Sequence, residues 1–143
     1  MTKVLITQSN YIPWKGYFDS INLVDIFIVY DDMQYTKRDW RNRNKLKTPQ
    51  GLSWLSIPVT VKGKYLQKIN ETEVSDENWA KKHWKTICQY YTKAPFFNDF
   101  NNHFEEIYLN CDTNNLSDIN ISLIKAVNLI LGVTTNIIKS SEL

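Results

Sequence analysis

Val4-Leu5-Ile6-Thr7, then Pro13-Trp14-Lys15-Gly16-Tyr17-Phe18-Asp19-Ser20-Ile21, then Asp25-Ile26-Phe27-Ile28-Val29-Tyr30 are the three runs whose reading decides the fold. The first and third are short, apolar and rich in β-branched residues, which suits strands buried in a sheet. Between them Trp14, Tyr17, Phe18 and Ile21 recur at i, i+3, i+4 and i+7, the spacing of one helical face, and proline is tolerated at the first helical position. This predicts a helix over residues 13 to 24, with Trp14, Tyr17 and Phe18 in the core. The chain therefore opens as β-α-β.

Working outward, residues 33 to 51 lack apolar periodicity and end in Thr48-Pro49-Gln50-Gly51, so they read as a long functional loop. Ser53 to Val59 alternates like a strand, with Pro58 pushing it toward an edge, and Leu66 to Val74 is a weaker strand candidate. Ala80, Trp84, Ile87, Cys88 and Tyr91 share a helical face with Asp76 as its N-cap, and Pro95 ends that helix. Phe97, Phe100, Phe104, Ile107 and Tyr108 mark another helix. A further one runs from Asn115 through Ile119, Leu123, Ile124 and Val127 to Gly132, a suitable C-terminal cap. Thr134 to Lys139 is a last β-branched strand. With no repeat or linker to divide it, the chain is expected to form one α/β domain over residues 1 to 143, Rossmann-like, three-layered and with a mostly parallel sheet.

The 143 residues are 43% hydrophobic, enough for one ordinary core, and 13% aromatic, enough to suggest that some rings line a binding face. A net charge of +2 does not by itself call for nucleic acid, but it is unevenly placed. Between residues 34 and 47 stand Lys37, Arg38, Arg41, Arg43, Lys45 and Lys47 against Asp39 alone, so the positive field is local. Cys88 and Cys111 have no metal-ligand spacing, and no apolar run suits a signal peptide or membrane span. A cytoplasmic protein without membrane insertion is expected.

The polar residues gather where the first two strands end. Gln8, Asn10 and Tyr11 follow the first strand and Asp31 and Asp32 the second, so both ends can face one crevice of the kind in which open α/β sheets bind ligands. Asp31 and Asp32 are candidates for a general base or for Mg²⁺ ligands, although adjacent strand residues point to opposite faces. Lys37, Arg41, Arg43 and Lys45 suit phosphate or carboxylate, with Tyr35 and Trp40 as stacking rings and Asn42 and Asn44 as readers of a sugar or base. A phosphate-bearing small molecule thus stands ahead of a nucleic acid as the partner. Of the two histidines, His83 is the candidate base, its helix also presenting Lys82 and Lys85. Each residue has a structural alternative, from a loop anchor to a solvated charge. No GxSxG, P-loop, GxGxxG or Cys/His ligand set occurs, so serine hydrolysis, P-loop nucleotide hydrolysis, dinucleotide-dependent oxidation and structural zinc lose support.

In order along the chain, Gln8, Tyr11, Pro13, Trp14, Gly16, Tyr17 and Phe18, then Asp31, Asp32, Gln34 and Tyr35, then Trp40, Asn42, Arg43 and Asn44, then Gly51, Trp54 and Leu55 resemble the WbqC-like family pattern. The chain departs from it at Ser9, where the family usually has proline. Similar proteins continue beyond the equivalent of Leu143, so the match is to the N-terminal part of a typical member. The resemblance implies a place in O-antigen or other surface-polysaccharide biosynthesis, as a transferase that puts a small acyl or aminoacyl group on a nucleotide-activated amino sugar. In that reading Lys37, Arg41 and Arg43 hold phosphates, Gln8, Asn10, Tyr11 and Asn42 orient sugar or base, and Asp31 or Asp32 supplies a base or metal ligand. The entry into the first helix also looks like that of nucleotidyltransferases and class I synthetases, with Trp14 and Tyr17 at the two histidine positions of their His-x-Gly-His signature. A Mg²⁺-dependent nucleotidyltransferase is accordingly one alternative, and a noncatalytic module for a nucleotide sugar or a protein partner is another.

Overall fold

The computed structural model of the chain describes all of residues Met1–Leu143. The elements in order are β1 (Val4–Thr7), α1 (Lys15–Asn22), β2 (Ile26–Val29), β3 (Arg43–Thr48), β4 (Gly51–Ser56), α2 (Trp79–Tyr91), α3 (Phe97–Leu109), α4 (Leu116–Leu131) and β5 (Asn136–Lys139). β1, β2 and β5 form a parallel sheet in that order, and the result is a mixed α/β fold with four helices. The register places Leu5, Phe27 and Ile137 in one row across the three strands.

That row belongs to the packed face of the sheet. Phe27 and Val29, two residues apart and both buried, meet Tyr17, Phe18 and Ile21 of α1 and Ile121 and Ile124 of α4. Full burial of one such side chain is worth roughly 1.5–3 kcal/mol, so this cluster fixes α1 and α4 on one side. On the other side Val4 and Ile6 are 48% and 58% exposed. The expected three layers therefore do not form within these residues, because the helices cover one sheet face and leave the other open.

A second apolar cluster joins the β3–β4 hairpin to α2, α3 and the start of α4 through Leu55, Ile57, Trp79, Trp84, Tyr108, Leu116, Ile119 and Leu123. α4 carries both clusters, with Leu116, Ile119 and Leu123 along one stripe and Ile121 and Ile124 along another. It starts where Asn115 Oδ1 accepts the Asp118 N–H at 3.1 Å and ends at Gly132, whose φ of +70° is a left-handed turn that a glycine adopts without strain.

Four sequence expectations change here. Residues 33–51 are not all loop. Arg43–Thr48 is a strand paired antiparallel with β4, and its polar composition hides an alternation in which Lys45 and Lys47 face solvent while Asn44, Leu46 and Thr48 turn inward. Leu66 to Val74 is not a strand but holds a single 3-10 turn, Ile69–Glu71, with isolated bridges around it. Asp76 stands three residues before α2, accepting the Asn78 N–H at 2.9 Å and pairing with Lys82 at 2.5 Å instead of capping the helix. Trp14 lies outside α1 and is 71% exposed, so the core stripe is Tyr17, Phe18 and Ile21 alone.

The two strand ends are fastened by Asp31. Its carboxylate, 3% exposed, accepts the Ser9 N–H at 2.8 Å, the Ser9 hydroxyl at 2.7 Å and the Ser117 hydroxyl. Asn120, also on α4 and fully buried, donates to Ser9 Oγ at 3.1 Å and to the Arg41 carbonyl at 2.8 Å. The loops after β1 and β2 are thus tied to α4 through one charge whose burial requires these donors. Asp31→Ala leaves a buried N–H and two hydroxyls without their acceptor and is expected to destabilise the protein by about 3 kcal/mol or more. Asp31→Asn keeps an acceptor for the Ser9 N–H and is expected to cost about half as much, both read by urea unfolding.

Candidate functional site

The residues expected to bind ligand are brought together, but several of them bind one another. The Arg41 guanidinium donates to Gln8 Oε1 at 2.7 Å and to Asn10 Oδ1, with the Ser9 carbonyl at 3.4 Å and Asp39 Oδ2 at 3.7 Å. Its side chain is only 16% exposed, so it closes the loop after β1 instead of presenting a fork to solvent. Asn42 Nδ2 donates to the Ile57 carbonyl at 2.8 Å, and Asn44 Nδ2 donates to the Tyr11 carbonyl at 3.2 Å and to that of Ile12. Arg43 donates to the Arg38 carbonyl and lays its guanidinium 4.0 Å from the Trp54 ring centre. For Arg41, Asn42 and Asn44 the assignment to ligand gives way to one as braces of the site.

The two carboxylates do not converge. Asp31 is consumed by Ser9 and Ser117, which corrects its reading as base or metal ligand. Asp32 turns the other way, accepting from Asn70 Nδ2 at 3.1 Å and from the Ser140 hydroxyl. The hydrogen bond from Ser140 is the main cause holding its carboxyl below the usual range, and Asn70 and the nearby Lys68 add to it. Such a group is an anion at neutral pH and a weak proton acceptor, better suited to fixing a charge than to base catalysis. The pair that would have bracketed Mg²⁺ is split between two separate sets of donors, Ser9 and Ser117 for one and Asn70 and Ser140 for the other.

What remains open is a cleft of about 350 Å³ lined by Asn10, Pro13, Trp14, Trp40 and Asn44. Trp14 and Trp40, 71% and 46% exposed, offer two indole surfaces. Trp40 also leans on Trp54, with ring centres 5.4 Å apart, and Trp54 carries Arg43 and Lys45 above its face. Gly16 sets the position of Trp14, because a Cβ there would overlap the indole ring. A second cavity of about 340 Å³ gathers Gln34, Tyr35 and Lys37 with Lys64, Tyr65 and Gln67. Gln34 is tied to its wall, donating to the Tyr65 carbonyl at 2.9 Å. Two indoles with amides at one place and two lysines with two phenols at another are suited to a sugar or base and to an anion, respectively.

The sequence reading missed Trp14, Trp54, Lys64 and Tyr65 as site residues. The signal for Trp14 was Gly16 two positions on, which leaves room for a ring folded back over the helix start. Trp54 was legible only once β3 was known to pair with its strand. Nothing in Lys64 and Tyr65 separates them from other loop residues until the fold brings them to Lys37.

His83 and Tyr11 lie in the interior. His83, 5% exposed, has Nε2 at 3.0 Å from the Ser56 carbonyl and Nδ1 at 2.9 Å from the Tyr11 hydroxyl, which is 2.5 Å from that of Tyr108. A carbonyl only accepts, so Nε2 carries the proton, Tyr11 donates to Nδ1, and Tyr108 donates to Tyr11. The relay is complete and enclosed by Trp79, whose ring centre is 5.2 Å from that of His83. Burial pushes the imidazole pKa down from about 6.5 to about 4, and corrects the assignment of His83 as a base and of Tyr11 as a ligand contact.

The WbqC-like protein family model matches residues 8–143. The uncharacterized protein Rv1507c of Mycobacterium tuberculosis is 51% identical over 140 residues, covering 98% of this chain and 61% of that protein. The chain thus spans about 61% of the length of this relative. No solved structure matches it. No helix is long and apolar enough to cross a membrane.

The His83 relay makes a pH prediction with a definite sign. Its folded pKa, about 4, lies below the ordinary value of 6.5, so the unfolded chain takes up the proton first. Stability is full above pH 6.5 and is lost as pH falls toward 4, by roughly 3 kcal/mol in total. Asp32 and Asp76, whose carboxyls the Ser140 and Lys82 hydrogen bonds hold low, contribute their losses further down. Urea unfolding at pH 7 and pH 4.5 is expected to show this drop in the wild type and a clearly smaller one in His83→Gln.

Proposed function

The chain belongs to the WbqC-like protein family, and on that premise we propose that it binds a nucleotide-activated amino sugar in the cytoplasm during O-antigen or other surface-glycan biosynthesis, as acceptor of a small acyl or aminoacyl group. The observation that carries the reading is the cleft between Trp14 and Trp40. Indole faces pack against the C–H surface of a pyranose or stack on a base, and the Asn10 amide beside them, its Oδ1 held by Arg41, leaves its N–H groups to donate to hydroxyls or an acetamido group. Lys37 and Lys64 in the second cavity, the latter 4.0 Å from Glu73 Oε2, are the cations we assign to the phosphates. The biosynthetic setting and the nucleotide-sugar class both come from the family resemblance, and the aromatic and amide lining of the cleft supports a ligand with a sugar or base to pack there. We read the parallel β1, β2 and β5, with polar loops at the ends of β1 and β2, as a Rossmann-like domain.

A second reading, a noncatalytic nucleotide-sugar module, is favoured by the use of Asp31 and His83 inside the fold. The Mg²⁺-dependent alternative is weakened by the divergence of Asp31 and Asp32. Both remaining readings share the binding step, and turnover of a nucleotide sugar with an acyl or aminoacyl donor separates them.

Calorimetric titration with UDP-N-acetylglucosamine and its 4-amino analogues tests the cleft. Trp40→Ala and Trp14→Ala are each expected to weaken binding about tenfold, as losing one stacked ring costs roughly 1–3 kcal/mol. Their exposure means that melting temperatures stay within a few degrees of wild type. Gly16→Ala is expected to improve the helix slightly yet weaken binding, since the new methyl displaces the Trp14 ring. Wild-type affinity in all three variants would dismiss the cleft.

A further inference from the structure

Beside the polar cleft runs a groove of about 500 Å³ in which ten of twelve lining residues are hydrophobic and none is charged. Its walls are Trp84 from α2, Phe97, Phe100 and Phe104 from α3, and Ile12 and Leu46 opposite them. The volume is that of a small-molecule site, and with only Asn101 and Tyr91 to offer hydrogen bonds the lining gives a sugar, a phosphate or a peptide backbone little to replace its lost water. Burial in it favours hydrocarbon.

Two chain segments line both the groove and the cleft. Pro13 and Trp14 face the cleft while Ile12, the preceding residue, faces the groove. On β3, Asn44 and Leu46 are two residues apart and so share a strand face, the first in the cleft and the second in the groove. Ile12 has φ of +43°, a left-handed conformation that a β-branched residue adopts only under constraint, and Asn44 braces it by donating to its carbonyl. The constraint turns one side chain into the groove and the next ring toward the cleft.

We propose that groove and cleft form one site for an amphiphile, with a linear alkyl or acyl chain along α2 and α3 and a sugar-bearing polar head between Trp14 and Trp40. The placing of the head rests on the reading of the cleft given above. The placing of the chain rests on the groove alone.

The test is a titration of the full chain with octyl, decyl and dodecyl glucoside below their micelle concentrations, followed by tryptophan fluorescence and calorimetry. Saturable one-to-one binding is expected, tightening about fourfold for each added methylene. Phe100→Asp, at a residue 42% exposed and therefore compatible with folding, should abolish the dependence on chain length while leaving UDP-N-acetylglucosamine binding unchanged. Trp40→Ala should weaken all three glucosides by one common factor of about ten. Affinity independent of chain length, with nucleotide-sugar binding intact, overturns the chain site alone. A chain-length series that persists while Trp40→Ala has no effect overturns the head site and the cleft reading with it. A dimer seen by sedimentation at these concentrations and dissolved by Phe100→Asp makes the groove a self-association surface and overturns the proposal.

Discussion

A single buried carboxylate governs the arrangement of the rest. Asp31 follows β2 with almost no access to water, and an anion there is tolerable only while donors surround it. Two of its donors are on Ser9, after β1, and one is on Ser117 of α4, so satisfying the charge draws three separate pieces of chain to one point. Asn120, one helical turn beyond Ser117, extends the grip to Ser9 and to the Arg41 backbone. The residues around the cleft inherit their positions from this junction.

A second, neutral anchor holds the same loop from inside the other apolar cluster. Tyr11 sends its hydroxyl into the Tyr108 and His83 relay, while its N–H donates to the Trp40 carbonyl at 3.0 Å. Between the Ser9 and Tyr11 anchors, Asn10 is pinned by Arg41, and just beyond them Ile12 is forced into its left-handed conformation. Trp14 is then carried outward, onto the open side of Gly16. The exposed indole is a product of the buried bonds behind it, and polar burial and ligand display are parts of one construction.

The β-α-β opening, the four helices and the parallel sheet were legible because their apolar residues keep the period of their element: Tyr17, Phe18 and Ile21, or Leu116, Ile119 and Leu123. β3 was not, since Arg43, Lys45 and Lys47 alternate with Asn44 and Thr48 and leave Leu46 as its one apolar side chain. The candidate site was legible as a region but not in its roles. A sequence dense in Gln, Asn, Asp and Arg looks the same whether those groups await a ligand or satisfy each other, because the hydrogen-bond partners of Asp31, Asp32 and Asn120 lie 22 to 111 residues away. Only the fold shows that Arg41 faces Gln8 and Asn10, and that Asp31 faces Ser9.

Ser9 shows how much of a loop's placement one small residue can carry. It supplies both an N–H and a hydroxyl to the buried anion. A proline at this position would offer neither donor and would leave the Asp31 carboxylate to the Ser117 hydroxyl alone. What proline would add, a fixed φ that limits the unfolded chain, does not replace those bonds. Ser9 holds the loop by bonding it to the charge, not by restricting its freedom. In this chain the cost of freeing Asp31 therefore falls on the whole junction, and the cleft that depends on that junction loses its shape with it.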